Sequence, residues 1–450
     1  MDQKLLPFAL ADVPRYTSYP TAVQFENGFS PLLADQWIAE LQPEASLSVY
    51  VHIPFCRQLC WYCGCHTSVP NSYDRAARYV DTLVRDIERT AGLVAHKGQR
   101  VKHLHLGGGT PTYLDDFHIG TILEAVDKGF GLAANAEVAL ESDPRTLTAA
   151  RAKALTGMGF NRISFGVQDF ALPVQMKINR LQTFGLVAAA TEFLRAAGFT
   201  SVNFDLMYGL PGQTRDSVVR TAQQAASLSP ERIAVFGYAH VPWFKRHQIM
   251  INDDELPGVS ERYAQAVIIG DELAKADYKA IGLDHYALAG DALALAAANG
   301  TMRRNFQGYT TDAADALLSF GASAIGELPQ GFIQAARDTL QWPEAIERGE
   351  NAVSRGLART AEDRCRADVI ERLMCDFTVD YGAIADRHGF GIDIFAGVAE
   401  KLAAAVNAGI AVVGGTLVTV PRQHRLFLRS VAAAFDVYFT AQPNRHAKAV

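Results

Sequence analysis

From residue 46 onward, short runs rich in β-branched and apolar residues alternate with longer stretches whose apolar positions recur every three or four residues. The short runs predict strands over residues 48–53, 101–106, 137–141, 162–167, 201–207 and 232–238. Between the first two, Tyr79, Leu83 and Ile87 repeat at a four-residue interval with Val80 and Val84 beside them, which is the apolar face of an amphipathic helix. Similar patterns predict helices over 121–130, 147–158, 183–197 and 217–228. Strands that alternate with helices form a parallel sheet with the helices outside it. In such sheets ligands bind at the C-terminal strand ends. After about Leu357 the rhythm changes to helices over 361–375, 381–387 and 395–408, then a hairpin (410–413, a Gly-Gly turn, 416–420) and a last helix near 426–439. Three helices and a hairpin predict a small, mostly helical, winged-helix-like C-terminal unit.

The chemistry-bearing residues fall at the predicted strand ends. The second strand runs into Gly107-Gly108-Gly109-Thr110-Pro111-Thr112, where glycines let a ligand approach backbone N–H and C=O groups, although a glycine-rich strand end is as often a tight turn. The third ends in Glu141, which either caps the next helix or meets a ribose diol or ammonium. Gln168 closes the fourth, and Arg180 follows it. Asp205 interrupts an apolar run in the fifth, and a buried carboxylate is costly without a partner. Tyr238, Ala239 and His240 close the sixth.

The first strand leads into Y-V-H-I-P-F-C-R-Q-L-C-W-Y-C-G-C at residues 50–65, with Cys56, Cys60 and Cys63 spaced C-x3-C-x2-C and Cys65 just beyond. Four of the six cysteines lie in this stretch, and clustered thiols in a chain without a signal peptide read as metal ligands or redox groups before disulfides. Three thiolates on one short loop can reach three corners of an iron–sulfur cube and leave the fourth iron open. Zinc calls for four closed ligands, typically two C-x2-C knuckles, and the chain has no second knuckle; free thiols are the remaining alternative. Cys365 and Cys375 lie on a helical pattern and read as core residues.

This loop is the signature of the radical S-adenosylmethionine (SAM) superfamily, and its fuller form, Y-x-H-I-P-F-C-x3-C-x2-C-x-C, resembles the oxygen-independent coproporphyrinogen III oxidases. The octet R-Y-T-S-Y-P-T-A at 15–22 resembles the start of those enzymes, where this region lies over the active site. The blocks I-G-L-D-H-Y-A (281–287), R-R-N-F-Q-G-Y-T-T (303–311) and F-G-A-S-A-I-G (320–326) match in the same order. The resemblance implies an α/β fold, a partial TIM-type (β/α)6 barrel with an N-terminal extension. It implies a 4Fe-4S cluster held by Cys56, Cys60 and Cys63, and two SAM molecules. Tyr50, Tyr62, Gly108 and Glu141 match the first SAM; Gly109, Thr110, Gln168, Arg180, Asp205, Ala239 and Ile325 match the second. Tyr50, His52 and Glu141 are the candidate catalytic residues, with His52 alternatively a satisfied strand histidine. Cys65 matches a family cysteine that does not ligate the cluster. The implied reaction converts two propionates of coproporphyrinogen III to vinyl groups, giving protoporphyrinogen IX through a 5′-deoxyadenosyl radical. A donor such as flavodoxin or ferredoxin supplies the electron, and an unidentified acceptor takes one away. Arg303 and Arg304 are basic candidates for gripping the substrate carboxylates.

Composition narrows the rest. At 450 residues the chain has room for two or three domains, divided as 1–45, 46–290, 291–356, 357–440 and a frayed tail, 441–450. A net charge of -6 and the lack of a basic stripe on the 395–408 helix argue against nucleic acid. No apolar run of eighteen residues and no leader-like start occur, so a cytoplasmic protein without a membrane span is expected, as a monomer. The rivals are a radical SAM haem chaperone, which lacks the Cys65 match and the octet, a haem-opening methyltransferase, and a non-catalytic haem-binding cluster protein.

Overall fold

The computed structural model describes residues 1–94, 100–440 and 448. Six parallel strands form its centre: β1 (Leu47–Ile53), β2 (Val101–Gly108), β3 (Leu132–Ser142), β4 (Arg162–Gln168), β5 (Ser201–Tyr208) and β6 (Arg232–Gly237). They are hydrogen-bonded side by side in chain order. Helices α1 (Asp74–Leu93), α2 (Asp116–Phe130), α3 (Ala149–Gly157), α4 (Phe184–Ala197) and α5 (Arg215–Ser227) return the chain from each strand to the next. The elements form for local reasons. In β1, Val49, Val51 and Ile53 are buried and alternate with Tyr50 and His52, which face the barrel interior. In α1 the buried residues Tyr79, Val80, Leu83 and Ile87 keep the predicted spacing. Side-chain oxygens of Asp115, Thr148, Thr183 and Thr214 cap the starts of α2 to α5, each satisfying an N–H that the first helical turn leaves free.

All six strands lie where they were expected. The largest boundary difference is β3, which begins at Leu132 because Val101 of β2 pairs with Leu132 before an irregularity resets the register to His103 beside Glu137.

The sheet does not stop at the barrel. Ala316–Phe320 runs parallel to β1 on its far side, and Ile325–Leu328, Gly331–Ala335, Val353–Ala358 and Glu26–Asn27 follow as antiparallel neighbours. At the other edge β6 pairs with His285–Ala287, which pairs with Lys279–Ile281. The segment 291–356 therefore carries strands of the main sheet as well as its connections.

In the C-terminal part, helices Ala361–Asp376, Tyr381–Arg387 and Val398–Asn407 accompany a three-stranded antiparallel sheet of Thr378–Asp380, Leu417–Thr419 and Val412–Gly414. Two expectations change here. The 395–408 helix begins only at Val398, because Gly397 takes a left-handed conformation (φ 81°) and separates it from a 3-10 turn at Ile392–Phe395. The single last helix is a short α-helix, Leu428–Ala432, between 3-10 turns Arg422–Phe427 and Ala433–Phe435. This stretch holds the N-terminal segment: Arg429 donates to the Val13 carbonyl at 3.1 Å, and Tyr16 donates to Asp436 at 3.1 Å. Of the frayed-tail expectation, residues 441–447, 449 and 450 lie outside the described residues. Among the described residues no helix is long and apolar enough to cross a membrane.

Candidate functional site

β1 delivers the cysteine loop to the C-terminal rim of the barrel. Its path is fixed by backbone bonds from Cys56 to the Ser68 carbonyl (3.0 Å) and from Ser68 to that of Pro54 (2.7 Å). Beyond them, side chains from distant segments take up the loop's carbonyls. Asn179 donates to Leu59 (2.9 Å), Gln248 to Tyr62 (3.0 Å), His247 to Cys63 (2.8 Å) and Lys245 to Cys65 (2.8 Å). Pinned by its backbone, the loop presents its sulfurs to the cavity.

That cavity, about 520 Å³ and open to solvent, is lined by Cys56, Cys60, Cys63 and Cys65 together with Tyr62, Gly108, Gly109, Thr110, Glu141, Gln168, Arg180, Asp205 and Ala239. The structure thus brings together most of the residues singled out in the sequence. The donor set suits an iron–sulfur cluster. Burial raises the Cys56 thiol against hydrogen bonds to Thr110 and Thr67, whereas the hydrogen bond with Cys65 leads the effects that draw Cys63 down to about 7. Among the described residues, no three His, Cys, Asp or Glu side chains are gathered closely enough to hold a single ion.

The glycine tip of β2 meets the loop edge to edge. Gly109 donates to the Ile53 carbonyl and Thr110 to that of Phe55, both at 2.8 Å. A Cβ on Gly109 would lie 2.8 Å from the Phe55 oxygen, so only glycine lets strand tip and loop touch. At Gly108 (φ 113°) a side chain would overlap the His52 imidazole.

The charged groups around the cavity differ in how they are held. Glu141 accepts from the Gly108 N–H at 3.0 Å and lies 3.4 Å from His105 Nε2; although burial raises it, these contacts hold its carboxyl below the ordinary value. Asp205 accepts from Ser164 (3.1 Å) and Asn203 (2.9 Å), and burial, with Glu141 nearby, pushes it up to about 6. Arg180 donates twice to the Gly166 carbonyl (3.1 and 2.6 Å) and once to Cys60 Sγ (3.5 Å). Burial opposes its charge, but Tyr62, Asp143 and Cys60 outweigh burial and keep the guanidinium firmly protonated.

Three of the predicted residues stand back from the cavity lining. The Tyr50 hydroxyl lies 3.0 Å from His52 Nδ1, and His52 Nε2 lies 2.9 Å from the His66 carbonyl. A carbonyl only accepts, so Nε2 carries the proton and Nδ1 accepts from Tyr50. Burial lowers His52 to about 4, which leaves it neutral at ordinary pH, with both nitrogens satisfied behind Gly108. Ile325 opens the strand two places beyond β1. Arg303 and Arg304, the basic candidates for the substrate carboxylates, do not line this cavity: Arg303 pairs with Glu371 at 3.0 Å, and Arg304 donates to the carbonyls of Tyr16 and Arg15, both at 3.1 Å. Sequence reasoning missed Lys245, His247 and Gln248, which hold the loop from a segment with no recognisable pattern. It also missed Arg145, whose pairing with Asp143 at 2.6 Å lies beside Arg180.

The chain matches the family model of the radical SAM superfamily over residues 50–225. It is 44% identical over 438 residues to the oxygen-independent coproporphyrinogen III oxidase of Bradyrhizobium diazoefficiens, covering 97% of each chain. To that of Escherichia coli K12 it is 39% identical, over 94% of this chain and 93% of the relative. The solved structure of the E. coli coproporphyrinogen III oxidase, described as a radical SAM enzyme, superposes with a TM-score of 0.90 at 38% identity, covering 96% of this chain and 100% of that one. Likeness of this extent, over a barrel whose rim carries the cysteine loop and the glycine tip, means that the chain belongs to the family of oxygen-independent coproporphyrinogen III oxidases.

Proposed function

We infer that the chain catalyses the oxygen-independent oxidative decarboxylation of two propionate side chains of coproporphyrinogen III to vinyl groups, giving protoporphyrinogen IX in haem biosynthesis. The observation that carries this reading is the convergence of the cysteine loop and the strand-end polar groups on one cavity, in a chain that aligns with named oxidases along nearly its whole length. Cys56, Cys60 and Cys63 are the residues that would hold a 4Fe-4S cluster, with Cys65 beside them as a non-ligand. When bound, the cluster and SAM supply one-electron reductive cleavage and abstraction of a hydrogen atom from the propionate β-carbon.

The chain's own part is binding, orientation and exclusion of water. Gly108 and Gly109 keep the strand tip bare so that SAM can lie against backbone. Glu141 offers a carboxylate to the first SAM beside Tyr62. For the second, Thr110, Gln168 and Ala239 complete the wall, Asp205 provides an acceptor and Arg180 a planar donor fork suited to a carboxylate. Tyr50 and His52 act from behind: their hydrogen-bonded chain to the His66 carbonyl braces Gly108. Ile325 belongs to the same second SAM set by its match alone. A soluble one-electron donor such as a flavodoxin or ferredoxin and a separate acceptor complete the cycle, in a monomeric cytoplasmic enzyme.

The test is anaerobic incubation of the cluster-loaded protein with coproporphyrinogen III, SAM and a reductant. Monovinyl and divinyl products are expected, with 5′-deoxyadenosine formed alongside. Tight tetrapyrrole binding with no vinyl product would instead support a chaperone-like role.

A further inference from the structure

Beside the cluster cavity lies a smaller and narrower chamber, lined by Arg15, Tyr208, Arg262, Asp284, Arg304 and Arg429 among others. The two share a wall of Arg15, Phe236, Gly237, Tyr238 and Ala239, so a molecule in the larger space can extend one arm into the smaller. The chamber is strongly polar: four guanidiniums and one carboxylate line it.

These groups have different duties. Arg304 ties down the N-terminal segment through the Arg15 and Tyr16 carbonyls and stacks on the Tyr309 ring, 4.3 Å from its centroid. Arg429 holds the same segment through Val13. All three bonds fix the backbone that carries Arg15. The Arg15 side chain itself is exposed, makes no ion pair among the described residues and borders both spaces. Asp284 lies between the two short strands at the sheet edge, with its carboxylate 2.7 Å from His285 Nδ1. Burial raises it, but His285, Arg304 and Arg15 outweigh that and keep it ionised.

We propose that this chamber is a recognition subsite for one pyrrole arm of the substrate, in which Arg15 takes a propionate carboxylate and Asp284 accepts a pyrrole N–H. A porphyrinogen offers two kinds of polar handle. Its carboxylates are acceptors that a guanidinium meets with a matching fork, and its pyrrole nitrogens are pure donors for which an ionised carboxylate is the strongest acceptor. The two handles lie at opposite edges of one ring. Asp284 gives Oδ1 to His285 and makes no ion pair with Arg15 among the described residues, which leaves its Oδ2 and the Arg15 guanidinium for a ring between them. Arg15 comes from the 15–22 octet, so that octet supplies a group the barrel alone lacks.

This subsite rests on the coproporphyrinogen assignment above, and the experiment separates the two. Full-length, cluster-loaded wild type, Arg15→Gln, Arg15→Lys and Asp284→Asn are compared anaerobically. Tryptophan-fluorescence titration gives the Kd for coproporphyrinogen III, and steady-state turnover gives KM. Cluster absorbance and the SAM Kd report that each variant is folded and loaded. Arg15→Gln and Asp284→Asn are expected to weaken substrate Kd and raise KM by roughly ten- to a hundredfold, with Arg15→Lys recovering part of the loss. Substrate Kd and KM within twofold of wild type in Arg15→Gln would overturn the subsite while leaving the assignment intact, even if Asp284→Asn failed to fold. A wild-type protein that neither binds nor converts coproporphyrinogen III would overturn both.

Discussion

The interior of the barrel carries charge at both ends of the same strands, and the two ends treat it differently. At the level where β2 and β4 begin, Glu137 of β3 takes two hydrogen bonds from Arg162 (3.0 and 3.2 Å) and faces His103. Arg232 of β6 pairs with Asp291 at 2.6 Å, with side chains only 2% and 4% exposed. Four residues along β3 and on the same face, Glu141 has a backbone N–H and a longer contact with His105, and Asp205 has only the neutral groups of Ser164 and Asn203. Glu137 and Asp291 are matched by arginines, whereas Glu141 and Asp205 at the strand ends have no arginine or lysine ion pair among the described residues. Depth along the strand therefore separates carboxylates paired with arginine from carboxylates that line the cavity.

Substitutions at the two ends can break that contrast. The largest effect is expected at the rim: Cys60→Ala should abolish cluster absorbance, and with it 5′-deoxyadenosine formation, to background. Retained cluster iron and turnover in that variant would remove Cys60 from the ligand set. At the strand starts, Asp291→Ala leaves Arg232 buried without its counter-charge, and Arg232 Nη1 already lacks a hydrogen-bond partner. A loss of about 3–5 kcal/mol in urea unfolding is expected, with the KM for SAM unchanged. Glu141→Gln should do the reverse, raising the KM for SAM roughly tenfold while unfolding free energy moves by less than about 1 kcal/mol. If Glu141→Gln proved as destabilising as Asp291→Ala, the division between the two ends would collapse.

The same contrast marks what was legible in the sequence. The six strands were readable as short β-branched and apolar runs between helical patterns, and Glu141, Arg180 and Asp205 stood out as polar groups at or near strand ends. Such runs give a strand but not the depth of each side chain, so they did not show that Tyr50 and His52 stand behind Gly108 rather than in the cavity. Arg303 drew notice as a basic residue in a matching block, but its partner, Glu371, is 68 residues away and no local pattern joins them. Lys245, His247 and Gln248 reach the cysteine loop across more than 180 residues in two of the three cases, and their bonds go to backbone carbonyls, which leave no trace in the loop's own sequence. The sheet extension was obscure for a related reason. Strands of four to six residues carry little periodic signal, and Ala316–Phe320 finds its place beside β1 through a pairing of residues 269 apart.

A pH titration of stability tests the electrostatics of the strand ends directly. Asp205 has a folded-state value of about 6 against an ordinary 3.8, raised first by burial and then by Glu141. Between about pH 4 and 6 the folded chain therefore keeps a proton that the unfolded chain has already lost, and this group's contribution to stability falls as pH rises through that window. The change is on the order of 3 kcal/mol. Asp205→Asn has no proton to lose, so the cluster-free variant should show a flatter dependence of unfolding free energy on pH between 4 and 7 than the parent. The curves should lie closest near pH 4 and diverge towards pH 7, where the variant is the more stable. Parallel curves would mean that Asp205 is already matched within the protein, like Glu137 at the other end of the barrel, and is not held in reserve for a ligand.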